Sequence, residues 1–201
     1  MKSKSTWRSR ACVVAFLALL GALAIPAAAT ADVVTFHRFE ADATARYTIT
    51  ETCPDGSTST TLVSIIGGHE EEQEDGVTTL DEDFLNLRIL NFRDCEGTFI
   101  NDGGFAPAEF TFSPSLQTAT LTATLTTREG RLVTVDIAWE GTGPIEATNN
   151  TTIFEGFTGH FQGKVRDAVA TGTVIVNGET LVDGSTTNAE LETLEDTNIR
   201  H

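Results

Sequence analysis

The sequence is poor in positive charge, and this excludes whole classes of partner. It contains 13 Lys and Arg against 29 Asp and Glu, a formal net charge of −16. Proteins that bind nucleic acids or anionic membranes through charge present a basic surface. We therefore expect no nucleic-acid partner and no membrane attachment by charge, although a single buried anion site is compatible with this balance.

Sequence motifs for catalysis are also missing. No HExxH, GxSxG, GxGxxG or P-loop pattern occurs, so no zinc helix, nucleophile elbow or phosphate-binding loop is indicated. His69 precedes three glutamates, but Gln73 stands where a second zinc-binding histidine would be needed. We expect no cofactor, and the sequence favours a protein that is not an enzyme.

The N-terminal segment has the pattern of a secretory signal peptide, which we assign to residues 1–31. A basic stretch precedes a long uncharged apolar run, and Ala29-Thr30-Ala31 fits a cleavage site. An uncleaved anchor is the alternative, since the run approaches the ~20 residues that span a bilayer. We expect a secreted, extracellular protein with one domain over residues 32–196 and a loose tail over 197–201.

Two cysteines, Cys53 and Cys95, remain after the signal peptide. In an exported chain, a lone pair is most simply one disulfide. For a loop of this length, chain-entropy reasoning gives about 4 kcal/mol of stabilisation. Two free thiols or a metal pair are the alternatives, but nothing nearby supplies further ligands at zinc spacing.

Alternation of apolar and polar residues predicts β-strands. In residues 41–50, Ala45 and Tyr47 share an apolar face while Arg46 and Thr48 share the polar face. Turn dipeptides separate such segments, and no amphipathic helix occurs. We expect an all-β domain, either an antiparallel β-sandwich or a closed β-barrel of about 8–10 short strands. The polar, aperiodic stretch 67–76 is interpreted as a loop.

The Thr/Ala-rich stretch before Gly130 predicts a hairpin with a defined register. A three-residue loop ending at Gly130 pairs Leu125 with Val133 and Ala119 with Trp139, so the apolar side chains share one face. A two-residue turn would set apolar residues against polar ones. The threonines of the first strand then lie on the solvent face. A second hairpin is indicated by an Asn-Gly turn after residue 176.

Three stretches resemble a group of uncharacterised secreted bacterial β proteins. They are the Thr/Ala-rich strand Leu116–Thr124, a D-x-x-W-x-G-T-G segment within Val135–Gly143, and the R-x-A-x-A-x-G segment Arg166–Gly172. The resemblance covers roughly the C-terminal half of the chain. It implies secretion and β structure, and it implies no site.

Glu155 is the best single candidate for a catalytic group. It stands at even spacing from Ile153, Phe157 and Phe161, so a continuous strand would point its carboxyl group toward an apolar face. A carboxyl group without water there would suit a general acid. A secreted hydrolase would use Glu155 and the nearby His160. The simpler interpretation is a rim position at which Glu155 reaches water.

Asp81 and Asp83 are candidate calcium ligands because they stand at D-x-D spacing. Calcium takes about six to eight oxygens, and the further ligands and glycine of an EF-hand are absent. In a chain with so many acidic residues, a solvated acidic surface explains the spacing equally well.

These features favour a non-enzymatic binding or interaction module with an extracellular partner or a small ligand. One alternative is a small β-barrel that holds an apolar ligand among its many Phe side chains. The other is the hydrolase described above. A filled interior would favour the module, and an interior cavity of about 300 Å³ or more would favour the barrel.

Overall fold

The computed structural model of the protein describes residues 33–200. The signal peptide and its cleavage site, predicted over residues 1–31, therefore lie outside the described residues. Within the described part the chain is all-β, as predicted. It contains no helix long and apolar enough to cross a membrane.

Ten strands form one antiparallel sheet in this part of the chain. They are β1 (Val34–Thr52), β2 (Thr58–Glu74), β3 (Val77–Asn91), β4 (Ile100–Pro107), β5 (Glu109–Phe112), β6 (Thr118–Thr126), β7 (Leu132–Gly141), β8 (Glu146–Phe154), β9 (Phe157–Val176) and β10 (Glu179–Arg200). Their order across the sheet is β4-β3-β2-β1-β10-β9-β7-β6-β5. β8 pairs with the first half of β9, and β7 pairs with its second half.

The sheet is not closed into a barrel, because its end strands β4 and β5 form no ladder with each other. It curls until its two halves face each other. A Cβ atom at Gly67 on β2 would lie 2.9 Å from Leu121 Cδ1 on β6. Near the edge, Thr127 Oγ1 donates to the buried carboxylate of Asp102 on β4 at 2.7 Å.

The core fills the space between the two halves of the curled sheet. Its largest fully buried side chains are Trp139, Ile65, Leu85, Leu87, Leu116, Leu121, Ile137, Leu191, Val63, Val133, Val135 and Val174. Trp139 Nε1 donates a hydrogen bond of 2.7 Å to the carbonyl oxygen of Thr44 on β1. This bond satisfies the one polar atom of the indole, so the ring can fill the core without an unpaired donor.

The β6–β7 hairpin has the predicted register. Leu125 faces Val133 and Ala119 faces Trp139, and Gly130 closes the loop at φ +78°. The β6 threonines are exposed, and the residues between them are buried. Pattern and turn chemistry therefore agree on this hairpin.

Two stretches predicted to be loop or tail are in fact strand. Residues 67–76, predicted to be a loop, extend β2 to a tight turn at Asp75-Gly76. Residues 197–200, predicted to be part of a loose tail, complete β10, and Arg200 pairs with Val34 of β1. Both predictions were wrong because ladder hydrogen bonds do not require an apolar face.

Cross-strand charge pairs support the polar extension of β1 and β2. The guanidinium of Arg38 lies 2.6 Å from the Glu70 carboxylate and 3.8 Å from that of Glu72, and it also contacts Glu40. Opposite charges on neighbouring strands stabilise a sheet in place of apolar contacts. This explains how a stretch without apolar alternation remains in the ladder.

Cys53 and Cys95 form the predicted disulfide. Their Cα atoms are 5.2 Å apart, and Cys53 is buried. The bond joins the turn between β1 and β2 to the loop that follows β3.

The two motif segments of the C-terminal half supply close backbone packing. A Cβ atom at Gly172 would clash with the β7 backbone, and one at Gly141 would clash with the carbonyl oxygen of Leu116. Arg166 Nε donates to the Gly143 carbonyl oxygen at 3.1 Å, and its Nη1 donates to that of Leu116 at 3.3 Å. Backbone packing therefore explains why Gly141, Gly172 and Arg166 stand at these positions of the two segments.

Candidate functional site

Glu155 does not occupy the strand position expected of a buried general acid. It lies with Gly156 in the two-residue turn between β8 and β9, and it is exposed. Ile153, expected on the same buried face, is 74 % exposed. His160 lies on β9 and is hydrogen-bonded to Thr151 Oγ1 at 3.1 Å. The structure contradicts the desolvated general acid, because a turn interrupts the strand, and agrees with the alternative position at which Glu155 reaches water.

Asp81 and Asp83 both approach His69 across the β2–β3 hairpin. His69 Nδ1 is 2.8 Å from Asp83 Oδ1 and 4.0 Å from Asp81 Oδ1. Within residues 33–200, no group of three or more His, Cys, Asp or Glu side chains is arranged to hold a metal ion. Calcium binding by Asp81 and Asp83 stays a prediction. In the structure, both carboxylates lie beside the imidazole of His69.

A cleft of about 370 Å³ lies against β1, β2 and β3. We call it the outer cleft because most of its side chains lie on the face of the sheet away from the core. Its lining residues are Arg46, Tyr47, Thr48, Leu62, Val63, Ser64, Arg88, Leu90 and Asn188.

Three neighbouring strands place Arg46, Ser64 and Arg88 side by side, and we call this set the arginine row. Ser64 on β2 is opposite Arg46 on β1 and also opposite Arg88 on β3. With strands about 4.8 Å apart, the two arginine Cα atoms are about 10 Å apart. The Ser64 hydroxyl stands between them on the same face, so all three groups can contact one small ligand.

Apolar side chains flank the arginine row on both sides. Leu62 and Leu90 pair with each other in the adjoining row, and Leu62 is 37 % exposed. On the other side, Ile66 lies on β2 and Phe105 lies on β4, where Phe105 is 62 % exposed. The outer face therefore combines two cations with exposed apolar surface.

Two features of the sheet keep the arginine row accessible. On the β4 side, the residue opposite Arg88 is Gly103, which has no side chain to cover it. On the other side, β10 separates from β1 beyond Ala45, the last residue of that ladder. Thr186 Oγ1 then donates to the Arg46 carbonyl oxygen at 2.9 Å, which fixes the backbone where the ladder ends.

The outer cleft carries two positive charges and no carboxylate. In residues 33–200, neither of its arginines forms an ion pair, whereas Arg38 and Arg131 are held by acidic side chains. Burial raises the pKa of Tyr47 to about 12, so its phenol stays neutral. Free guanidinium groups beside an apolar surface suit carboxylate, phosphate or sulfate.

The arginine row was not predicted from the sequence. Alternation predicts Arg46 on a polar strand face, but it holds no information about which residues of β2 and β3 lie beside it. The available signal is the two-residue spacing of Leu62 with Ser64 and of Arg88 with Leu90, which places the members of each pair on one strand face. To place these residues beside Arg46, one must know the pairing register of β1, β2 and β3. The turn sequences between these strands do not determine that register.

No protein-family model and no curated protein matches the chain. Among solved structures, it is similar to a protein from Nitrosomonas europaea described as a candidate AttH, with 9% sequence identity and a TM-score of 0.21. The match covers 83% of this chain and 51% of that one. The chain thus spans about half the length of that structure, and a likeness this weak carries no argument.

Proposed function

We propose that the protein is an extracellular, non-enzymatic binding protein whose outer cleft holds a small amphipathic anion. The observation that carries this proposal is the arginine row, two cations in a cleft whose lining residues include no carboxylate, in a strongly acidic chain. The guanidinium groups of Arg46 and Arg88 would bind the anionic head group. Leu62 and Leu90 would contact the apolar part of the ligand.

The extracellular part of the proposal is supported by the disulfide. Disulfides form and persist in oxidising compartments, and Cys53 and Cys95 are bonded. The resemblance to secreted bacterial β proteins agrees with export. We infer that the curled sheet serves as a sandwich-like scaffold, since Gly67 on β2 packs directly against Leu121 on β6.

The size of the outer cleft sets the class of ligand. Small-molecule sites span about 300–1,000 Å³, so the outer cleft, at about 370 Å³, suits a small ligand. A hydrogen bond to a charged group contributes about 1.5–3 kcal/mol, and each buried methylene about 0.8 kcal/mol. Association costs about 4–15 kcal/mol in lost translational and rotational freedom, so we expect tight binding to need the head group and the apolar chain together.

The residues of the outer cleft favour binding over catalysis. A hydroxyl nucleophile needs a neighbouring base, and the cleft residues around Ser64 include no histidine or carboxylate. Ser64 is therefore assigned to hydrogen bonding with the ligand. The alternative of an apolar ligand inside a barrel is not proposed, because the space between the halves of the sheet is filled by side chains.

The test uses three probes that share one alkyl chain: decanoate, decyl sulfate and the uncharged decanol. Calorimetric titration is expected to show binding of the two anions and little binding of decanol. Arg46→Gln and Arg88→Gln should each weaken decanoate binding about tenfold, since about 1.4 kcal/mol corresponds to tenfold. Arg128→Gln, at an exposed arginine in the β6–β7 turn, is the matched control and should bind as the parent protein does.

Two results would contradict the proposal. If decanol binds as tightly as decanoate, the arginine row does not select an anion. If the Arg128 variant loses as much affinity as the Arg46 variant, binding follows overall charge and has no defined site.

A further inference from the structure

β8 presents an unpaired edge along its whole length. Its nine residues pair with β9 from Val165 back to Phe157. No other strand in residues 33–200 pairs with it. The N–H and C=O groups directed away from β9 are therefore available to another strand, and such an edge pairs readily with a second chain.

The two end strands of the sheet are protected, and the first half of β3, which pairs only with β2, carries Asp81, Glu82 and Asp83. β4 contains the buried carboxylate of Asp102 and ends at Pro107, and β5 has only four residues and is closely followed by Pro114. Natural edges are blunted by these devices, namely proline, inward charge and short length. β8 has no proline, no lysine and no bulge, and its one charged residue is Glu146 at its first position.

We propose that β8 pairs antiparallel with β8 of a second copy of this chain, about a two-fold axis at Asn150. Asn150 is the midpoint of the strand, so this register pairs all nine residues. It sets Asn150 opposite Asn150, Asn149 opposite Thr151, Thr148 opposite Thr152, Ala147 opposite Ile153, and Glu146 opposite Phe154. The interface is isologous, as expected of a closed dimer.

The composition of β8 suits self-pairing better than it suits a charged partner strand. Amides and hydroxyls meet at its centre, and cross-strand pairs of this kind stabilise a sheet. Ile153 and Phe154 are 74 % and 67 % exposed in the single chain, and each gains a neighbour from the second copy. The two Glu146 residues lie eight positions apart across the ladder, about 27 Å at 3.4 Å per residue, and so are well screened from each other.

The net charge of −16 predicts how the dimer responds to salt. Two acidic copies repel at long range, and salt screens this repulsion. Pairing through backbone bonds and neutral side chains should therefore strengthen as salt rises. A contact that depended on opposite charges would weaken instead.

Sedimentation of the purified protein tests the association, and spin labels test the register. Cys53 and Cys95 are joined, and Cys12 lies in the predicted signal peptide. In the protein without residues 1–31, a cysteine introduced at a surface position can therefore be labelled alone. Labels on Asn150→Cys should lie close together, since facing Cα atoms are about 5 Å apart. Labels on Glu146→Cys should lie about 27 Å apart, and labels on Thr122→Cys, on the solvent face of β6, should show no comparably short distance.

Asn150→Lys provides an independent test of the interface. It sets two lysines opposite each other at the two-fold axis, where like charges destabilise the pairing of strands. We expect it to weaken dimerisation at least tenfold, while the matched variant Thr122→Lys leaves it unchanged. A circular-dichroism spectrum equal to that of the parent protein would show that both variants fold. Sedimentation as a monomer at all concentrations and salt levels would overturn the proposal, and so would a dimer in which labels at position 150 are far apart.

Discussion

Asp42→Asn is expected to stabilise the protein at neutral pH and to lose this effect in acid. Asp42 lies on the outer face of β1, opposite Glu192 of β10. Burial, followed by repulsion from Glu40, Glu192 and Glu70, raises its pKa from 3.8 to about 6, and Arg38 offsets only part of this. The folded protein therefore holds the proton of Asp42 more tightly than the unfolded chain does.

The sign of the effect follows from this difference in proton binding. Below pH 3.8 the carboxyl group is protonated in both states and costs nothing, whereas between pH 3.8 and about 6 stability falls as pH rises. Above about pH 6, the loss of stability caused by the ionised Asp42 is complete. At about 1.4 kcal/mol per pKa unit, the upper limit is about 3 kcal/mol, and partial contact with solvent reduces it to about 1–3 kcal/mol.

Urea melts of the parent protein and of Asp42→Asn at pH 7.5 and pH 4 provide the measurement. We expect the variant to be more stable by about 1–3 kcal/mol at pH 7.5 and nearly equal to the parent at pH 4. Asp136→Asn, at an exposed position on β7, is the matched control and should change little at either pH. An equal gain at both pH values, or an equal gain from the control, would refute the assignment of the effect to the charge of Asp42.

Three further predictions concern stability. Cys53→Ser should lower the free energy of unfolding by about 4 kcal/mol, because it opens the long loop that the bond to Cys95 closes. Thiol labelling of the unreduced, denatured parent protein should find no reactive thiol in the mature chain. Gly172→Ala should cost about 2–4 kcal/mol in a urea melt, because the new methyl group would clash with the Asp136 carbonyl oxygen; a neutral result would mean that β7 and β9 can separate freely. Glu155→Gln should change stability by no more than about 0.5 kcal/mol at pH 5 and pH 8, as expected of an exposed turn residue; a larger change at either pH would revive its role as a site residue.

The β6–β7 hairpin was predictable because two independent signals coincide in it. Gly130 stands where a left-handed residue ends a three-residue loop, and the apolar residues of both strands then share one face. The Asn177-Gly178 turn was predictable for the same reason, since both residues take the positive φ of a tight hairpin turn. The disulfide was predictable from the oxidising compartment expected of an exported chain and from the two cysteines that follow the predicted signal peptide.

The polar part of the sheet was not predictable from alternation. In residues 67–76 the strand is maintained by pairs such as Arg38 with Glu70 and His69 with Asp83, which join different strands. A single-sequence pattern contains no information about such partners. Glu155 was placed wrongly for a related reason, since its even spacing assumed one strand across a Gly156 turn at φ +75°.

The pairing of β1 with β10 has a consequence for how the chain folds. His37 and Glu195 are neighbours in the sheet, yet they are 158 positions apart in the sequence. Topologies dominated by distant pairings fold slowly, because the entropy of closing a long loop must be lost before the contacts form. The β6–β7 and β9–β10 hairpins are local and can form early, whereas β1 gains its β10 neighbour only after the whole intervening chain is available. A chain synthesised from its N-terminus therefore keeps β1 without that neighbour until β10 has been made, so the edge of β1 that pairs with β10 is the last part of the strand to be covered.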